Sequence, residues 1–253
     1  MRSAGRAAVL HVVFWALCLS GCGASNPFRQ YEYEEDLYLS LDGSATLYVN
    51  ASLASIDALR GAAFDTKPTA RFDRDAVRQY FSSADTHVTW ARSSRRNDRR
   101  FAHVRIEVDD VNRLAAAAPF AWSSYRFHRD GDLFVYQQVV GAPASTAVVQ
   151  PFQGREVVAF RLHLPSKIVY HDKSGDFRRG NILVWEQPLA DRLKGVPLTV
   201  EARMETQSIL CRTLYLFGAT FGAVAIGFVA VIWWIVKRAG TGGGMEPGGA
   251  QHV

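Results

Sequence analysis

Five arginines, Arg92, Arg95, Arg96, Arg99 and Arg100, fall within nine residues of one another. A guanidinium is planar, forked and permanently charged, which suits two-point contact with phosphate or carboxylate. Such a cluster points to anionic ligands, either lipid headgroups or an anionic cell-wall polymer. It equally suits a solvated hairpin tip whose charges discourage edge-to-edge strand pairing. Arg178 and Arg179 offer a second basic pair. Covalent chemistry has no comparable foothold, because the chain contains no G-x-S-x-G, H-E-x-x-H, Walker-type loop, C-x-x-C or EF-hand series. His87, His103, His128, His163 and His171 are scattered, and His103 and His163 read as polar members of alternating strands rather than metal ligands. Asp130 and Asp132 flank Gly131 as turn residues. The expectation is a binding protein, not an enzyme, with no metal and no cofactor.

The net charge of +5 does not belong to the part of the chain that would fold. Residues 23–207 hold 24 Lys or Arg against 23 Asp or Glu, and the excess sits at Arg2, Arg6, Arg212, Lys237 and Arg238. That distribution argues for membrane topology and against a nucleic-acid partner. The first 21 residues run from a positive start through an apolar stretch to Leu19, Ser20 and Gly21, the anatomy of a signal peptide. With Cys22, this ending resembles the lipobox of bacterial lipoproteins, and the resemblance implies cleavage before Cys22 and acylation of its thiol. Cys18 would leave with the signal, so the mature chain would keep Cys211 alone and could form no internal disulfide.

At the other end, residues 213–236 carry no charge. At 1.5 Å per residue they reach roughly 36 Å, enough to cross a ~30 Å hydrocarbon layer with some tilt. Trp233 and Trp234 beside Lys237 and Arg238 fit an interface followed by cytosol, so residues 237–253 are expected to be a disordered cytoplasmic tail. Gly218 and Gly222 form a G-x-x-x-G, continued by Ala223 and Gly227, a spacing that lets helix backbones approach. The partner would be a second copy of this chain or another membrane protein.

Residues 28–206, after a short tether over 22–27, read as one extracytoplasmic domain. Asp42-Gly43 and Asp130-Gly131 mark hairpins, and Ala102, Val104, Ile106 and Val108 alternate with polar neighbours. Ser52 and Asp73 are placed to cap two short helices, the first ending at Gly61 and the second near Ser83. Asp110 caps a third before Pro119, and residues 139–152 form an apolar loop suited to cover a pocket, to dip into a membrane surface or to pack on the core. The fold class is α+β, an antiparallel sheet of successive hairpins with short helices on one face, plus one C-terminal transmembrane helix.

The chain is similar to the LppM-like family of bacterial envelope proteins in three places. These are the lipobox of Leu19, Ser20, Gly21 and Cys22, the turn region from Leu39 to Ala45, and the run from Gly180 to Trp185 upstream of the terminal apolar helix. The resemblance implies an extracytoplasmic domain that handles lipids or glycolipids, anchored in the bacterial cytoplasmic membrane. Two functions follow: binding or presenting lipid-like or anionic molecules near the membrane, or serving as an accessory subunit of a membrane complex. The anchor is directly testable. Intact mass of the mature protein should show loss of residues 1–21 with added acyl mass, both abolished by Cys22→Ala; an unacylated start elsewhere would refute the lipobox.

Overall fold

The computed structural model describes residues 30–144, 152–172 and 180–240. Cys22, the signal and tether segments, Arg178, Arg179, half of the apolar loop (145–151) and residues 241–253 lie outside them.

The chain starts with β1 (Gln30–Leu39) and β2 (Ala45–Ser52), paired antiparallel with Leu39 opposite Ala45. Gly43 makes the turn at φ 88°, a region costly for any residue with a Cβ, while the Asp42 carboxylate accepts from the Ser44 amide and hydroxyl. Helix α1 (Leu53–Arg60) starts where the Ser52 hydroxyl accepts from the Ser55 amide, and stops at left-handed Gly61. Helix α2 (Arg74–Phe81) is capped by Asp73, which accepts from the Ala76 amide, and it buries Val77 and Phe81. Both caps sit where the sequence places them, and α2 ends two residues early.

Strands β3 (Thr86–Arg96) and β4 (Arg99–Val108) meet across Asn97 and Asp98, both left-handed at φ 50° and 55°. Asn and Asp tolerate this conformation better than most residues with side chains, so the connection shrinks to two residues and the strands run into the arginines. Asp110 caps a 3-10 segment (Val111–Ala116). Strands β5 (Ser123–Asp130) and β6 (Leu133–Val140) follow, then β7 (Glu156–His163), β8 (Ser166–His171), β9 (Ile182–Pro188), helix α3 (Leu189–Leu193), β10 (Leu198–Ser208) and helix α4 (Ile209–Gly240).

The fold is α+β, arranged as two sheets. One has six strands in the order β3-β4-β2-β1-β7-β9, and the other four in the order β5-β6-β10-β8. Every pairing is antiparallel except β1 with β7, which sets Gln30 beside Glu156 and Tyr38 beside His163. Residues 40–155 separate these two strands in sequence, so no hairpin signal marks their pairing. The core lies between the sheets, with Val49, Val104 and Ile106 facing Phe120, Tyr136 and Val140, and α1 closing one side. Strand β10 continues into α4 without a linker: the Ile209 amide bonds the Pro165 carbonyl at 3.1 Å, and the Ser208 hydroxyl accepts from the Leu210 amide. Helix α4 is long and apolar enough to cross a membrane, and its described side chains are exposed along its length.

One contact closes the open end of the β5–β6 hairpin. The Gly141 amide bonds the Trp122 carbonyl at 2.7 Å, and a Cβ at 141 would stand 2.7 Å from that same oxygen. The obstacle is backbone and cannot swing aside. Gly141→Ala should therefore cost about 1–3 kcal/mol, a fall of roughly 2–10 °C in thermal midpoint, whereas Gly131→Ala meets nothing within 4 Å and carries only a turn penalty.

Candidate functional site

The five clustered arginines do not act as one patch. Arg99 turns inward, its side chain 8% exposed, and bridges two buried carboxylates: Nη1 lies 2.7 Å from Glu32 and Nη2 2.9 Å from Glu156. The Gln153 amide also donates to Glu156, and the Phe152 ring lies 5.1 Å from the guanidinium. Arg99 is thus corrected from ligand-binding candidate to structural cation, because taking two buried carboxylates out of water requires a compensating charge. Burial pushes the Glu156 carboxyl up, but the Gln153 amide and Arg99 outweigh it and hold its pKa below the ordinary 4.5. Arg96 is also committed, donating to the Tyr31 carbonyl and lying over Phe101 at 4.4 Å.

The remaining three divide between the two sides of the hairpin. Arg92 lies over Trp90 at 5.4 Å, on the side of His103. Arg95 and Arg100 pair across the tip and share the opposite side with Ser93. There Ser93 borders an open groove of about 730 Å³ whose other walls are Arg71, Phe72, Asp73, Arg74 and Asp75, the approach to α2 and its first turn. Arg100 reaches the same segment, donating to the Pro68 carbonyl at 3.4 Å. Arg71 and Arg74 wall the groove, and Arg95 and Arg100 lie beside it on the same side of the hairpin as Ser93; among the described residues no carboxylate pairs with any of the four. Asp73 is occupied in capping α2.

Arg71 and Arg74 were missed as site residues because about twenty residues separate them from the hairpin. The cap at Asp73 marks the start of the helix that carries Arg74, with Arg71 just before it, but only the packing of α2 on β3 brings the two clusters together.

A second set of cations lies in the interior. Arg60 donates to Glu35, the Tyr33 hydroxyl and the Pro119 carbonyl, with its guanidinium 3.5 Å from the centre of the Trp122 ring. Arg192, fully buried, donates to the Val140 and Gly141 carbonyls at 3.3 and 2.7 Å. Burial pushes its pKa down, and Arg60 adds to that. Both guanidiniums serve as joints between segments. Beside them, the cavity lined by Glu35, Tyr125, Tyr136 and Gln138 is about 10 Å³, room for one water and far too little for an acyl chain. A trough of about 710 Å³ lies open on the four-stranded sheet, bordered by Ser124, Arg126, Gln137, Thr199 and Glu201.

His103 is held between Asn50 and Ser94 at 2.9 and 2.7 Å, and His163 stacks on Tyr38 at 3.7 Å. Among the described residues no three His, Cys, Asp or Glu side chains gather as metal ligands. Gly218 and Gly222 lie on the open surface of α4, with nothing within 4 Å of where a Cβ would stand.

The division of the cluster predicts contrasting variants. Arg99→Met strands two buried carboxylates and should cost about 3–5 kcal/mol, while exposed Arg95→Ser should stay within about 0.5 kcal/mol, both read by chemical denaturation. Because the folded pKa of Glu156 is depressed, its contribution is complete above its unfolded value near 4.5 and is lost as pH falls through the folded value. The difference between parent and Arg99→Met should shrink below pH 4.5 as Glu156 protonates.

No family model matches the chain, and no curated protein matches it. Among solved structures it is similar to the NMR structure of the folded domain of LppM from Mycobacterium tuberculosis, at 16% identity over 72% of this chain and 95% of that one, with a TM-score of 0.39. The resemblance read from short sequence motifs thus meets an LppM domain, at an overlap too loose to transfer a fold or a ligand.

Proposed function

We propose that the chain is a membrane-anchored envelope lipoprotein, without enzymatic activity, that binds or presents lipid-like or anionic envelope molecules close to the membrane. Acylated Cys22 holds one end, and α4 crosses the bacterial cytoplasmic membrane once with Lys237 and Arg238 inside. The main domain lies on the extracytoplasmic side. The observation that carries the binding role is the groove where Arg71 and Arg74 face the side of the hairpin bearing Arg95 and Arg100. Guanidiniums that pair with no carboxylate among the described residues, in a domain of almost balanced charge, are suited to an anion from outside. The cavity beside Glu35 and Tyr136, too small for an acyl chain, favours this surface over that interior space.

A second reading, an accessory subunit in contact with a partner helix or a second copy, is favoured by the open surface at Gly218 and Gly222.

Native mass spectrometry of the full chain, solubilised mildly from its membrane, decides between them. The binding role expects retained anionic small molecules, depleted at least several-fold when Arg71, Arg74, Arg95 and Arg100 are replaced by Ser. Retention unchanged in that variant would sink the groove as the site. A stoichiometric membrane partner lost on Gly218→Leu with Gly222→Leu would establish the second reading instead.

A further inference from the structure

The position of the groove within the fold narrows its ligand. The hairpin tip lies at the end of the six-stranded sheet where β1 and β7 begin, since Arg99 bonds Glu32 and Glu156, and Arg96 bonds Tyr31. Helix α4 leaves from the opposite end, where the Ile209 amide bonds the Pro165 carbonyl just beyond β7. From Glu156 to Pro165 is nine residues, which at about 3.3 Å each is roughly 30 Å. The charge of a bilayer around α4 is screened with a Debye length of about 8 Å at physiological salt. At roughly 30 Å only a few per cent of its pull survives.

Two observations favour a domain that stands on α4 over one that lies along the surface. Strand β10 passes into α4 with no linker and is clamped at Pro165, so no slack segment separates the domain from the helix. The broad outer face of the six-stranded sheet, on which the domain would otherwise rest, sets Glu34, Asp36, Glu107 and Glu186 against Arg92, Arg105 and Arg161. That balance gives an anionic bilayer nothing to attract.

The geometry points to a soluble linear polyanion, a polymer bearing repeated phosphate or carboxylate groups in the extracytoplasmic space, as the ligand of Arg71, Arg74, Arg95 and Arg100. A polymer matches cations that run from Arg71 and Arg74 in the groove wall to Arg95 and Arg100 beside it on the hairpin, where a single small anion would touch one or two of them. Asp73 and Asp75 on the same wall leave this group of six charges at a net of +2, so the attachment is reversible and salt-sensitive. The inference rests on the groove being the binding site proposed above.

The test uses the full chain in nanodiscs, with inorganic polyphosphate as the probe, in discs of neutral phosphatidylcholine and in discs containing anionic phosphatidylglycerol. Binding of similar affinity in both discs, weakened at least tenfold by the four Arg→Ser changes and unaffected by Arg126→Ser, is the expected result. Binding in neutral discs that anionic lipid abolishes would show the groove facing headgroups; it would overturn this inference and leave the anion-binding role intact. Binding that is absent, or indifferent to the four arginines in both discs, would overturn the groove itself. The folded state of the quadruple variant is checked by its thermal midpoint, which the exposed changes at Arg71, Arg74 and Arg95 should leave near that of the parent and the half-buried Arg100 should lower only modestly.

Discussion

A guanidinium enclosed by two carboxylates holds one end of this fold together. Arg99 opens β4, Glu32 lies near the start of β1 and Glu156 opens β7, so one side chain fixes three strand ends that are distant in sequence. The group carries one excess negative charge, and the Gln153 amide and Gln30 side chain supply further donors to its oxygens. A buried ion group adds little net stability when compared with an apolar replacement, but it is intolerant of mispairing. Here that intolerance specifies register: moving β7 along β1 by one residue would carry Glu156 away from Arg99. The parallel pairing of β1 and β7, which no tight turn enforces, gains its alignment from this group.

The same arrangement explains why the hairpin tip is split into roles. Arginines alternate sides along a strand, so a contiguous basic run cannot face one ligand. Arg99 and Arg96 secure the tip to the chain start, and Arg95 and Arg100 are left on the side toward α2. A basic run read from sequence alone overstates the charge offered to solvent, and it misses the charge contributed from elsewhere by Arg71 and Arg74.

Local signals were legible and long-range ones were not. Ser52, Gly61, Asp73 and Asp110 each cap the segment expected of them, and Gly43 and Gly131 turn their hairpins, because each feature is decided within a few residues. The division into two sheets was not legible: residues 40–155 separate the paired strands β1 and β7, and alternation within a strand does not name its partner. Helix α3, five residues following Pro188, is too short for its period to register. Glu35, Arg60 and Arg192 carry charges that composition assigns to the surface, and nothing local marks them as interior joints. The candidate groove is the sharpest case, since its two walls are fixed by the packing of α2 on β3.

The unlinked passage from β10 to α4 has a mechanical side. Strand β10 lies inside its sheet, with β6 on one side at eight consecutive register positions and β8 on the other. Hydrogen bonds between antiparallel strands run perpendicular to the strand axis. A pull transmitted along α4 therefore loads these bonds together, in shear, instead of peeling them open one after another. Drag on the helix within a bilayer would reach the domain as a tug on an interior strand of its sheet, and the domain would follow the helix as one body.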